Sequence, residues 1–169
     1  MASDVAAYLQ RGYVQGDQLR IISTADHMAA IARQLAHLGC PVERATALGT
    51  LVWWDAATTL NALMSDGRVD PLRLRPMFHL ASNGGTGRAR VYGELSDLLA
   101  AHGDLKSAVA LEQAAPHVLT GASADILCGY RSTHFSAQAT CEALRGICRA
   151  HDEVRSSPGD DLAAWLLRR

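Results

Sequence analysis

The sequence predicts an α/β fold: a mostly parallel sheet of about four strands, layered between helices. Two observations carry this. Short apolar runs alternate with segments of helical periodicity along the whole chain, the pattern of a parallel layered domain. Three of those runs also pass directly into polar residues that open a helix: Leu48-Gly-Thr-Leu-Val-Trp-Trp54 into Asp55, Arg88-Ala-Arg-Val-Tyr-Gly93 into Glu94, and Ala124-Asp-Ile-Leu-Cys-Gly-Tyr130 into Arg131. If the strands are parallel, Asp55, Glu94, Cys128 and Tyr130 share one sheet edge. In open α/β sheets that edge is where ligands bind.

Taken in order, Asp4 to Gln15 reads as a helix with Val5, Tyr8, Leu9 and Tyr13 on its apolar stripe, ended by Gly16. Leu19 to Ile22 is a short strand. Ser23 or Thr24 caps the next helix, lined by Met28, Ile31, Leu35 and Leu38 and stopped by Gly39 and Pro41. Val42 to Ala47 leads into the tryptophan strand, in which Trp53 and Trp54 face opposite sides. A helix over Ala56 to Met64 follows, then a surface turn with Asp-Gly and Asp-Pro signals over Ser65 to Pro71. Asp70 and Pro71 open a helix to about Ala81, and Ser82 to Gly87 is a loop. Beyond Glu94 a helix runs to His102, breaks at Gly103-Asp104, and resumes from Leu105 to about Pro116 with Ala108, Leu111 and Glu112. A strand over Ala124 to Gly129 and a long helix over Ala137 to Val154 complete the domain.

Composition excludes several classes. The chain has 169 residues, enough for one domain with a sizeable core. Its net charge is −1 and its aromatic content 5%, which argue against a nucleic-acid partner. No apolar run approaches the roughly 18 residues of a membrane span, and Met1 to Ala7 has no leader character. A cytoplasmic location is expected, with Cys40, Cys128, Cys141 and Cys148 reduced. The phosphate-loop pattern Gly-x-x-x-x-Gly-Lys-Ser/Thr is absent, which argues against ATP hydrolysis. Catalysis is not expected.

The candidate ligand-binding residues are Asp55, Arg90, Tyr92, Glu94, Cys128 and Tyr130. Asp55 and Glu94 have two readings: helix caps, or acceptors for a bound molecule with Arg90 as the counter-charge. Tyr92 and Tyr130 flank Glu94 as walls of an apolar pocket with a polar floor. A second constellation is Cys128, His134, Cys148 and His151. Cys148 and His151 stand at i and i+3 on one helix face, and the four together make a soft set suited to zinc. Against it, buried cysteine is commonly a small hydrophobe; redox sensing is a third reading.

These residues fall within an ordered series of short motifs: Gly16-Asp17, Asp55-Ala56 with Thr59-Leu60, Asp66-Gly-Arg-Val-Asp70, Arg90-Val-Tyr-Gly-Glu94, Gly103 with Ala108 and Leu111-Glu112, Leu127-Cys-Gly-Tyr130, and Cys148-Arg-Ala-His151. In that order and spacing the chain resembles the MEDS sensory domain of methanogens, methylotrophs and the dichloromethane-dehalogenation regulator. The resemblance implies a three-layer RecA/KaiC-like domain over residues 1–155; beyond it, the residues of 156–169 read as a linker and a short amphipathic helix that carries Trp165, Leu166 and Leu167. It also implies a non-catalytic sensor of small molecules, with no cofactor. Its partner would be a regulatory protein such as a kinase or anti-sigma factor, in transcriptional or anti-sigma-type control. The family's opening strand has no counterpart ahead of the first helix here. A partner chain, a second copy included, could complete the sheet, or the sheet is four-stranded.

Overall fold

The computed structural model describes residues 1–78, 87–135 and 138–156. The elements run α1 (Ala2–Gln15), β1 (Gln18–Ser23), α2 (Ala25–His37), α3 (Val42–Ala47), β2 (Leu51–Asp55), α4 (Ala56–Leu63), β3 (Met64–Ser65), β4 (Arg68–Val69), α5 (Arg75–Phe78), β5 (Arg88–Gly93), α6 (Leu95–Ala101), α7 (Leu105–Gln113), α8 (Ala115–Val118), β6 (Ser123–Cys128) and α9 (Gln138–Arg149). Single turns of 3-10 helix span Pro71–Leu74 and Ser132–Phe135. The main sheet has four strands in the order β2-β1-β5-β6, all parallel. The α/β fold with a parallel four-stranded sheet is therefore as expected, and the strand ends do share one edge.

Alternation along β5 sets the two layers. Ala89 and Val91 pack on one face with Ile22, Ala56, Leu63, Leu95, Leu99, Leu111 and Ile147, beneath α4, α6, α7 and α9. Tyr92 packs on the other with Val5, Leu9, Leu19, Ile21, Ile31 and Leu35, beneath α1 and α2. Every residue of β1 is buried, as a central strand covered on both faces requires. Trp53 joins the α1/α2 layer and Trp54 the other, each partly buried on the edge strand β2.

Local differences from the sequence reading have local causes. The tryptophan strand begins at Leu51, because Val42–Ala47 forms a helix that Gly49 closes with φ 70°. The turn after α4 is a hairpin. Met64 pairs with Val69 and Ser65 with Arg68, around Asp66 (φ 51°) and Gly67 (φ 73°). Two successive positive φ values are what a tight two-residue hairpin loop demands. The expected helix over 71–81 starts as a 3-10 turn capped by Asp70, whose carboxylate accepts from the Leu72 amide. The helix expected over 105–116 is α7, which closes at Gln113, followed by the single turn of α8. The last helix ends at Arg149. The end of the helix expected over 71–81, most of the loop over 82–87 and the helix over 160–168 lie outside the described residues.

Candidate functional site

The connections out of β1 fix where a site can form. From β1 the chain passes to β2 on one side, and later returns to place β5 and β6 on the other. The strand order reverses between β1 and β5. At such a switch point the flanking connections diverge and leave a crevice at the carboxyl ends of the strands. Glu94 follows β5, Ser23 ends β1, and Thr24 and His27 come after it, so all four meet at this place.

Glu94 is buried, 4% exposed, and its carboxylate is surrounded by donors. Ser23 Oγ donates to Oε2 at 2.9 Å and the Thr24 amide to the same oxygen at 3.1 Å. Tyr92 Oη donates to Oε1 at 2.6 Å. His27 Nδ1 stands 2.6 Å from Oε1, and since the carboxylate accepts, Nδ1 carries the hydrogen. A carboxylate offers about four acceptor positions, and the chain fills them. Glu94 does not cap its own helix; it ties the end of β1 and the start of α2 to β5. Burial, then the charge of Glu94, hold the Tyr92 hydroxyl far above its ordinary pKa, so it stays a donor. His27 is 30% exposed at its side chain, which leaves the edge of its ring accessible.

A second histidine–carboxylate pair lies beside it. Asp97, in the first turn of α6 and 4% exposed, accepts from the Arg131 amide at 2.8 Å, from Arg131 Nε at 2.9 Å, and faces His134 Nδ1 at 2.9 Å. His134 is thus held in the connection after β6 and is not part of a cysteine cluster. A third group gathers Glu112 from α7, Cys128 at the end of β6 and His151 beyond α9; one ligand atom of each lies within 4.8 Å of the others. Tyr130 stands edge-on to His151, with centroids 6.0 Å apart.

The sequence-derived residues are distributed as follows. Asp55 is exposed and caps α4, accepting from the Thr58 amide at 2.8 Å; that hydrogen bond pulls its carboxyl below the usual range. Tyr92 and Glu94 are hydrogen-bonded at the switch point. Cys128, Tyr130 and His151 meet at the third group. Cys148 instead packs against the apolar core, because His151 lies past the last helical residue and helical spacing no longer sets their relation. Arg90 is not the counter-charge of this edge. It pairs with Asp17 at 3.0 Å and with Gln15 at 2.9 Å, with Asp125 at 3.6 Å, under the Tyr8 ring. Four residue steps, about 13 Å at roughly 3.3 Å each, separate it from Glu94.

Sequence reasoning missed His27, Asp97 and Glu112. His27 and Asp97 each stand three residues beyond a residue that opens a helix after a strand, Thr24 and Glu94. Glu112 is a carboxylate four residues after the buried Ala108, on the stripe that faces the core.

An open parallel sheet with a buried polar cluster at its switch point defines an α/β domain. The chain belongs to the MEDS family, the MEthanogen/methylotroph, DcmR Sensory domain, whose family model matches residues 1–152. No curated protein and no solved structure matches it. It is a sensory-family domain, and no helix among the described residues is long and apolar enough to cross a membrane.

Proposed function

We propose that this domain binds a small molecule at the switch-point edge and signals through a protein partner, without catalysis. The observation that carries the reading is the His27–Glu94 pair. Glu94 has no acceptor position left for a ligand, so it acts by fixing His27 with Nδ1–H inward and Nε2 outward. In the neutral ring Nε2 is an acceptor. The ligand class this fits is a small organic molecule bearing a hydroxyl or another hydrogen-bond donor. Asp55, at the end of β2, offers a second acceptor on the same edge.

Support for signalling comes from what Glu94 holds. It joins β1, α2 and β5 at one point, so a ligand that moves His27 biases the position of α2. Leu38 at the end of α2 and Leu48 after α3 are exposed, 43% and 59%. They provide an apolar contact for a regulatory partner such as a kinase or an anti-sigma factor, in transcriptional or anti-sigma-type control.

The test is to purify the protein from its native host, identify small molecules released on denaturation, and titrate each back by calorimetry. One compound should bind the wild type, with affinity lost in His27→Ala. That variant should keep its fold, because the side chain is partly exposed. Recovery of no compound, or equal affinity in His27→Ala, would sink the reading.

A further inference from the structure

The group formed by Glu112, Cys128 and His151 lies apart from His27 and Glu94 and is built from chemically different donors. His151 Nδ1 stands 2.8 Å from the Ile147 carbonyl oxygen. A carbonyl only accepts, so the hydrogen is on Nδ1 and Nε2 is turned toward Glu112 Oε2, 3.5 Å away. In the neutral ring this sets two acceptors facing each other, an arrangement that a cation between them would satisfy. A histidine whose other nitrogen donates to a backbone carbonyl is also the usual arrangement of a metal-ligating imidazole.

The two spacings from Glu112 agree with that use, and the third pair lies within 4.8 Å. Bonds of about 2.0–2.3 Å in a tetrahedron separate neighbouring ligand atoms by roughly 3.3–3.8 Å. Glu112 Oε2 is 3.5 Å from His151 Nε2 and 3.6 Å from Cys128 Sγ. An independent observation points the same way: the Tyr130 hydroxyl oxygen is buried without a hydrogen bond of ordinary geometry, it faces Glu112 and Cys128, and its ring abuts His151. Buried polar atoms are rarely left so. Glu112 also lines a surface hollow of about 210 Å³ with Pro116, Gly146 and Arg149.

We propose that Glu112, Cys128 and His151 bind one zinc-class divalent transition-metal ion, with the Tyr130 hydroxyl facing its fourth position. One sulfur, one nitrogen and one oxygen suit a borderline ion better than calcium or magnesium, which take oxygen, or copper(I), which takes sulfur. On binding, the Cys128 S–H bond breaks, sulfur keeps the electron pair and donates it to the metal, and the proton leaves to solvent. Thiolate and carboxylate then balance the two charges of the ion.

The experiment titrates the chelator-treated full chain with Co²⁺ alone, then with Zn²⁺. One Co²⁺ per chain should bind with near-ultraviolet sulfur-to-cobalt charge-transfer absorption and visible bands of tetrahedral type. A proton should be released, and Zn²⁺ should abolish the bands. Cys128→Ser should remove the charge-transfer band. Glu112→Gln and His151→Ala should weaken binding by more than the roughly 10–100-fold that loss of an outer partner costs. Cys148→Ser should leave the spectrum unchanged. The wild-type spectrum alone reports sulfur ligation, so a variant that fails to fold does not decide the matter. Absence of a charge-transfer band in the wild type, or a band kept in Cys128→Ser and lost in Cys148→Ser, overturns the assignment.

Discussion

The Tyr92 hydroxyl occupies the space that a β-carbon on Gly129 would need: the two would lie 2.5 Å apart, with two ring atoms of Tyr92 at 3.2 Å. The hydroxyl cannot swing away without leaving Glu94. Gly129→Ala should therefore destabilise the fold by about 1–3 kcal/mol, the usual cost of overpacking. Tyr92→Phe in the same chain should recover part of that loss, because the closest contact is gone. Urea denaturation of the four proteins of this double-mutant cycle measures the coupling. Strict additivity would show that the contact has no energetic weight.

Gly12 stands in the same relation to Arg90 on the α1 side. An added methyl would come within 2.5 Å of Cδ and 2.6 Å of Nε. Alanine is worth up to about 1 kcal/mol over glycine inside a helix, and that gain opposes the clash. The Arg90 side chain is pinned by Asp17 and Gln15 and cannot yield cheaply. Gly12→Ala should lower the thermal midpoint despite the better helix former. A raised midpoint would mean that the guanidinium moves freely.

Replacing Glu94 by glutamine puts a donor group where four donors already point. Hydrogen bonds to charged groups contribute about 1.5–3 kcal/mol each at the upper end of the range, so Glu94→Gln should cost about 3 kcal/mol. His27→Ala removes one contact at a partly exposed ring and should cost much less. The difference separates the structural role of the carboxylate from the recognition role assigned to the imidazole.

Stability should fall at both ends of the pH scale. Asp55 and Asp104 cap α4 and α7, and hydrogen bonds from Thr58 and Ser107 hold their carboxyls below the usual range. Their contribution is present above the unfolded value of about 3.9, and it is lost as pH falls through the lower folded values. Cys40, Cys128 and Cys148 are shifted the other way. Burial raises all three thiols, with Glu112 adding to the effect at Cys128. Their contribution is complete below the unfolded value of about 8.5 and declines as pH rises toward the folded values. Thermal midpoints followed across pH should trace a dome. Asp104→Asn should flatten its acid side and Cys40→Ala its alkaline side.

The strands, their parallel sense and the shared edge were legible because each is written in contiguous residues: an apolar run, a glycine, a polar helix opener. The opposed tryptophans follow from a period of two. What could not be read was lateral order. Only the placement of β1 beside β5 brings Ser23, Thr24 and His27 to Glu94, and no local pattern encodes that neighbour relation. The same gap hid the partner of Arg90, since Asp17 lies 73 positions away. His134 and Cys148 look like companions of Cys128 by composition. The buried Glu112 takes the place beside it, because α7 packs against α9 and α6, a tertiary fact.

That central pairing also governs how the chain acquires its structure. Ser23 and Glu94 are 71 residues apart, and the strands they terminate form the middle of the sheet. Closing so long a loop costs entropy before any contact rewards it. During synthesis β1 must wait, with a strand edge unsatisfied, until β5 has left the ribosome. A nascent chain stalled before Arg88 can pair β1 with β2 but cannot cover its other side. Such a fragment presents a hydrophobic strand edge to chaperones and to other chains, so the protein's yield should depend on translation speed through the segment between β2 and β5.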